Sequence, residues 1–440
     1  MDCYIPIRYI YMILGFCGML ITYGLKTNLA MAMVSMVNHT AIRLEQEQHQ
    51  NSSRGLYFDT RHGVEINVES SVEEDGTFLW SLSLQGVIIS SYFWGYLLGQ
   101  LPGARLAEDL SGFLGGFTFP SLQFLLTRWA PLNERSLMSS FVYSGGLLGN
   151  VISLLATAYI AHRTNWEASF YIMGGVCIPW MVLWPLLIND NPRTHKLIRQ
   201  DELNYLIAAL QLAEKKQRLK VPWKSIFLSG QIWTLIITHT SIGWGFYFML
   251  TQLPLYMKMV LQFNLNENGI ATSLPFIGMF LFSVFYGRAA DYVISKEVLS
   301  LTLIRKFSNI LATGVAALCC SIVPFTTNKY AVVALMVIAT TVLGALYSGL
   351  MQSYMDLARN FAGTLIAITN TVATLAGIAV PLFVGWILNQ DPSVASWRIV
   401  FLVTTGFYLL ATIVYGLFIT TTELPWNKPI EAPNRDEEGK

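Results

Sequence analysis

The sequence predicts an all-α membrane protein made of two pseudo-symmetric helical halves, and three observations predict it. Of 440 residues, 53% are apolar and only 12% are charged, about half the charge of a soluble domain. Apolar stretches of spanning length recur along the whole chain. Two short sequences, 102–108 and 287–291, set a glycine, a base and an acid at matching points of the two halves. A mean hydropathy of +0.48 and a net charge of +1 exclude a disordered or nucleic-acid-binding chain. The five cysteines (Cys3, Cys17, Cys177, Cys319 and Cys320) form no disulfide framework and have no metal-ligand spacing.

A spanning helix needs about 20 mostly apolar residues. That ruler finds eleven candidates: 9–37, 79–102, 110–127, 137–160, 168–188, 230–257, 268–287, 303–325, 330–351, 361–388 and 397–420. The third is the shortest and least apolar. Two polar insertions interrupt the series. Residues 38–78 carry eight acids against three bases and hold two glycosylation sequons, at Asn38 and Asn51. This places them outside the cytoplasm. Residues 190–228 carry eight basic side chains, which places them inside. The apolar spacing of Leu203, Leu206, Ile207, Leu210 and Leu212 predicts an amphipathic helix there, on the membrane surface.

The two placements conflict. An outer 38–78 loop and four following spans would leave 190–228 outside. From residue 128 onward the charges alternate consistently, so the discrepancy lies between 103 and 128. The matched sequences locate it. Each reads as a small flexible turn at a cytoplasmic helix end, carrying Arg105 and Glu108 in one half and Arg288 and Asp291 in the other. Four spans follow the second turn and three follow the first. Two halves of six, one lacking a helix near 108–110, account for the count. The resulting organisation is an N-terminal half (1–189), a cytoplasmic linker (190–228), a six-helix C-terminal half (229–422) and a cytoplasmic tail (423–440).

Particular strings narrow the reading. Residues 23–38, 91–103, 116–121, 128–136 and 362–371, with His239, Trp244, Phe246 and Tyr247, resemble in order the first, second, fourth, post-fourth, eleventh and seventh helical motifs of the anion:cation symporter family of the major facilitator superfamily. That family includes sialin, the vesicular glutamate transporters and the sodium–phosphate cotransporters. The resemblance implies a major facilitator fold and covers most of 9–426. It also marks departures. The family's third helix is absent. Gly115 stands where the family carries a functional Glu, Glu108 where it carries an Arg, Gln123 where it carries a His, and Lys26 where it carries an Arg.

Lys26 is the sharpest site residue. It sits about 25 Å from one end of its span and about 16 Å from the other. No carboxylate lies mid-span to neutralise it. A central lysine costs roughly 2.5–3.5 kcal/mol to insert and is functional by default. An unpaired cation facing a central cavity favours an anion, although Lys lacks the bidentate fork of Arg. His239 is the histidine inside a span, and a reference pKa of about 6.5 suits it to proton coupling; a satisfied core histidine is an equal reading. Tyr92, Tyr96, Tyr247, Gln252, Gln352, Tyr354 and Asn370 are polar groups within spans, able to bind a carboxylate, phosphate or sugar or simply to bond helix to helix. Tyr247 and Asn370 fall in the family-like strings. The glycines at 145, 146, 149, 344 and 349 read as close helix packing. No nucleophile–base set, metal cluster or phosphate loop is present, so an enzyme is not expected.

The sequence therefore predicts a monomeric secondary transporter that moves a small inorganic or organic anion through a lipid bilayer, without cofactor, coupled to Na⁺ or H⁺. The bilayer is the plasma membrane or a lysosomal or vesicular membrane. The competing expectation is a shortened isoform or paralogue that does not transport.

Overall fold

The computed structural model describes residues 6–42, 76–109, 122, 125–126, 129–131, 134–189, 192–214, 221–297, 299–358 and 360–427, with the backbone alone at 98–109, 135–137, 139–140 and 210–214. The N-terminal half contains α1 (Ile7–Met36), α2 (Leu82–Asp109), α3 (Arg135–Arg163) and α4 (Trp166–Leu187). The linker forms α5 (Gln200–Glu214) and α6 (Trp223–Leu228). The C-terminal half contains α7 (Gly230–Thr251), α8 (Leu253–Met259), α9 (Leu265–Ser295), α10 (Leu301–Ile322), α11 (Lys329–Val342), α12 (Leu350–Ala358), α13 (Ala362–Gln390) and α14 (Val394–Phe418). Eight spans among these residues are long and apolar enough to cross a membrane. Helix is the form that satisfies every backbone group within one segment in hydrocarbon.

The bundle has two distinguishable ends. At the loop end, Phe78 donates its N–H to the Met36 carbonyl at 3.1 Å and closes the base of the 38–78 insertion. At the linker end, the Glu202 carboxylate accepts the N–H groups of Ile7 (2.9 Å) and Arg8 (3.1 Å). Those donors have no intrahelical partner at the start of α1, and a carboxylate there also complements the helix dipole. Arg8 bridges onward from Glu202 to Glu134 at 3.0 Å, just before α3. Leu206 is buried with Ile7, Tyr11 and Trp129. The amphipathic linker helix thus exists, and it lies against the N-terminal half as well as following a membrane-surface pattern.

Small residues set the packing inside each half. The Gly145 and Gly149 positions meet the Phe16 and Leu20 carbonyls so closely that a Cβ would clash with backbone. Ser153 donates to the Gly24 carbonyl at 2.7 Å and Thr157 to the Asn28 amide oxygen at 2.6 Å. This joins α1 to α3 by close approach and interhelical hydrogen bonds. In the C-terminal half α10 packs between α14 and α11, while α7 packs on α13 and α14. Cys319 and Cys320 are free and buried within this core.

The halves meet through α2 on α13 and α3 on α9. Their tight contacts gather toward the loop end. Gly86 abuts the Pro381 carbonyl, Gly385 the Leu82 carbonyl and Gly269 the Ala158 side chain. Ser83 donates to the Gly385 carbonyl at 3.3 Å.

Three sequence expectations need correction. The segments 102–108 and 287–291 are not flexible turns. The α2 helix runs through Arg105 and Glu108 to Asp109, and α9 runs through Arg288 and Asp291 to Ser295. An i, i+3 acid–base spacing suits a helix as well as a turn, and one interior glycine costs a helix only about 1 kcal/mol. At 28 and 31 residues, both helices reach well beyond a hydrocarbon core of about 30 Å. Arg288 and Asp291 are exposed on that overhang. The stretch 230–257 breaks at Gln252 into α7 and α8, where Pro254 starts a new helix. The stretch 330–351 is also discontinuous: a tight 3₁₀ segment, Leu343–Tyr347, separates α11 from α12.

Asn51 lies outside the described residues. Asn38 has its N–H bonded to the Phe78 carbonyl at 3.0 Å, and its Oδ1 accepts from the Ala41 N–H at 2.8 Å. An asparagine tied into a turn at the end of a spanning helix is a poor acceptor. Single Asn51→Gln and Asn38→Gln variants treated with peptide:N-glycosidase are expected to show the glycan shift lost with Asn51 and largely kept with Asn38. Loss of the whole shift in Asn38→Gln would contradict this.

Candidate functional site

Lys26 is 4% exposed, deep in α1. Its Nζ lies 4.5 Å from the ring centre of Tyr23, one turn earlier on the same helix, and 3.9 Å from that of Tyr96 on α2. Among the described residues no carboxylate forms an ion pair with it. A cation over an aromatic face gains about 0.5–2 kcal/mol. Two rings together offset most of the roughly 2.5–3.5 kcal/mol that a mid-membrane lysine costs. The cage explains how the charge persists without a counter-ion. It leaves the ammonium's hydrogen-bonding capacity unmatched by any anion, since an aromatic face offers no lone pairs.

The cage continues outward. Tyr92 stacks on Tyr96 with centroids 6.4 Å apart, and its hydroxyl donates weakly to the Thr22 carbonyl at 3.4 Å. Phe93 packs edge-on against Tyr92 at 5.5 Å and meets Tyr247 of α7 edge-on at 4.9 Å, so the C-terminal half reaches the cage through Phe93. One lysine therefore sits among tyrosines of α1 and α2, with Tyr247 of α7 beyond Phe93, where the two halves meet.

A second polar cluster lies in the C-terminal half. His239 Nδ1 is 3.0 Å from the Tyr354 hydroxyl and 3.0 Å from the Thr369 hydroxyl, which are 2.8 Å from each other. This triangle ties α7, α12 and α13. Asn370 follows Thr369 directly. Its carbonyl accepts from the Thr374 hydroxyl at 2.8 Å. Tyr247 stands eight residues after His239, about 12 Å along the helix.

The structure sets Tyr96 over Lys26 and stacks Tyr92 on Tyr96, with Tyr247 beyond Phe93. It places Asn370 next to Thr369 of the histidine cluster and His239 apart from Lys26. The side chains of Arg105 and Glu108 lie outside the described residues. Arg288 and Asp291 are remote from the cage, at the linker end. Sequence reasoning missed Tyr23 as a member of the cage, and Asn150, whose amide is buried in α3 without a hydrogen-bond partner. Tyr23 was findable as the residue one turn before Lys26. The glycines at 344 and 349 were the available signal of the broken helix.

Comparison with known proteins agrees with this architecture. Residues 110–381 match the Major Facilitator Superfamily model. Human sialin is 32% identical, with 93% of this chain and 89% of sialin covered. A putative inorganic phosphate cotransporter of Drosophila melanogaster is 30% identical, covering 96% and 86%. Human vesicular glutamate transporter 2 is 26% identical, covering 97% and 76%. Among solved structures, a D-xylose–proton symporter shares the fold with a TM-score of 0.63 at 14% identity, covering 94% of this chain and 99% of the symporter. The chain is a multi-pass membrane protein of the major facilitator superfamily and belongs to its anion:cation symporter family, which are transporters and not enzymes.

Proposed function

We propose that this protein carries a phosphate- or carboxylate-bearing anion across a membrane, coupled to Na⁺ or H⁺, by rocking of its two halves around the Lys26 cage. The observation that carries the reading is Lys26 itself: a buried cation held by aromatic faces from α1 and α2, at the junction with the other half. An anion entering the cage gains a charge-assisted hydrogen bond from the ammonium, and in this reading the hydroxyls of Tyr92 and Tyr247 complete its shell. The tight contacts at the loop end close that side. The basic linker places the opposite end in the cytoplasm, so the conformation described here faces inward. Alternating access then requires the α2–α13 and α3–α9 contacts to part as the linker ends close.

His239 is the coupling group in this reading. Its Nδ1 serves two hydroxyls, and a proton gained there would switch it from acceptor to donor toward Tyr354 and Thr369. That rearranges α13 at the residue before Asn370. His239→Gln in proteoliposomes is expected to keep anion exchange while uptake driven by an imposed pH gradient falls about tenfold or more. Unchanged pH-driven uptake would remove His239 from the coupling path and leave Na⁺ as the driver.

One observation favours a second reading, that this chain is impaired. In the C-terminal half α10 joins α9 to α11 across the membrane. In the N-terminal half only residues 110–121 separate the end of α2 from Leu122, too few for a crossing that takes about 20 residues.

A further inference from the structure

Asn150 of α3 is fully buried, and among the described residues neither its Oδ1 nor its Nδ2 has a hydrogen-bond partner. An unsatisfied buried amide is costly, and buried polar groups are otherwise almost always paired. The contacts on either side of it along the helix show what it faces. Gly145, Gly149 and Ser153 form a row against α1: the first two meet the Phe16 and Leu20 carbonyls, and Ser153 donates to the Gly24 carbonyl at 2.7 Å. Val151, Leu154 and Ala158 form a second row, packed with Tyr247, Leu265 and Phe276 of the C-terminal half. At about 100° per residue, Asn150 lies between the two rows, in the wedge where α1 and the other half adjoin. Gly146 is one turn earlier on the same face, and a Cβ there would lie 3.0 Å from the Tyr23 ring. The ring that holds Lys26 Nζ at 4.5 Å therefore occupies the same wedge. The Ser153–Gly24 and Thr157–Asn28 bonds set Asn150 level with Ile21 of α1. Tyr23 and Lys26 stand about 3 and 7.5 Å further along. Long side chains in a helix lean back toward its N-terminus, which brings both toward the level of Asn150.

We propose that Asn150 is a substrate-binding residue of the Lys26 site and selects anions that carry a hydrogen-bond donor beside the charged group. The inference rests on reading the Lys26 cage as the anion site. The ammonium meets the charge of such a solute, but it can only donate. An amide both donates and accepts. Its Nδ2 gives a hydrogen bond to a carboxylate or phosphate oxygen, and its Oδ1 takes one from a hydroxyl or amine on the adjoining atom. The helix that carries it is fixed against α1 by close backbone contact, so the amide is preorganised and costs little to order on binding. A site built to bond a hydroxyl or amine rejects the analogue that lacks it, because a buried acceptor is then left unpaired.

The test measures apparent affinity by ligand-induced thermal shift of the full chain in detergent. The probes are inorganic phosphate and two matched pairs, L-malate with succinate and L-glutamate with glutarate, each pair differing by one donor group. The variants are Asn150→Leu, Asn150→Asp and Lys26→Gln. The parent is expected to bind the donor-bearing member of the better pair about tenfold more tightly than the other member. Asn150→Leu should weaken that member about tenfold and lose the preference. Its ligand-free melting temperature should equal or exceed the parent's, because an unpaired buried amide is gone. Asn150→Asp should lose every probe, its carboxylate taking the anion's place beside Lys26. The proposal is overturned if the parent shows no preference within either pair, or if Asn150→Leu keeps the parental affinity or preference, which would mean that the amide holds water. If phosphate alone binds, tenfold weaker binding in Asn150→Leu supports the proposal and parental binding overturns it. If Asn150→Leu does not fold, the Asn150→Asp arm decides, and parental binding there overturns it. Loss of binding in Lys26→Gln with parental binding in Asn150→Leu sinks this inference only. Parental binding in Lys26→Gln, or no stabilisation of the parent by any probe, sinks the anion-site reading on which it rests.

Discussion

Lys26→Gln is expected to weaken anion binding at least tenfold while the protein still folds and inserts. A hydrogen bond to a charged group contributes about 1.5–3 kcal/mol, so losing the ammonium should weaken an anion by roughly ten- to a hundredfold. Stability should hold or rise, because the variant removes a charge that costs about 2.5–3.5 kcal/mol in the membrane and forfeits only the two aromatic contacts that offset it. Lys26→Arg should bind as well or better. The guanidinium stacks on tyrosine as an ammonium does and adds a bidentate fork for carboxylate or phosphate. Affinity and ligand-free melting temperature, read from the same thermal-shift series, separate the two effects. Unchanged affinity in Lys26→Gln would show that the cage is a structural aromatic cluster and not a binding site.

Insertion of a spanning helix between Asp109 and Leu122 is expected to raise transport about tenfold or more over the chain as it stands. The asymmetry of the halves carries this expectation. In the C-terminal half α10 covers the face of α14 and 39% of that helix's apolar window is buried; none of α4's window is. Gly174 and Gly175 have open space around them, and Tyr171, Met181 and Leu186 are each more than 60% exposed. Yet the remainder of the N-terminal half keeps its orientation. Glu134 and Glu202 both meet Arg8 at the linker end, and Leu122 and Trp129 pack with Tyr11 near the same end. Cysteines placed at 130, 131, 134 and 200–209 should therefore resist impermeant labelling of intact cells, before and after the insertion. External labelling at 200–209 would show that the odd number of crossings inverts the C-terminal half. Equal transport with and without the added helix would show that α4 needs no cover.

Much of this was legible in the sequence because hydropathy reports what a segment is made of. The spans, the linker helix around Leu206 and the buried charge at Lys26 all follow from single-segment patterns. So does the packing role of Gly145 and Gly149, whose spacing puts both on one helix face. What escaped depends on which faces meet. Tyr96 was visible as a polar group in a span, but nothing in its own helix says that it covers Lys26 of another. Arg305 read as a cytoplasmic charge; its Nη1 donates to the Ser348 carbonyl, which needs α10 beside a break that composition alone does not reveal. The mistaken turns at 102–108 and 287–291 came from taking glycine beside charge as a stop. At a membrane boundary the helix continues into water, because charged residues no longer oppose it there.

In this mechanism a tyrosine-caged lysine binds an anion whose movement is driven by a cation gradient. The decisive measurement is uptake of labelled phosphate, glutamate and sialate into proteoliposomes, with Na⁺ and pH gradients imposed separately. At least one anion is expected to accumulate above equilibrium under one of the two gradients, with accumulation lost in Lys26→Gln and restored in Lys26→Arg. Anion uptake that ignores both gradients, or that survives Lys26→Gln intact, would contradict it.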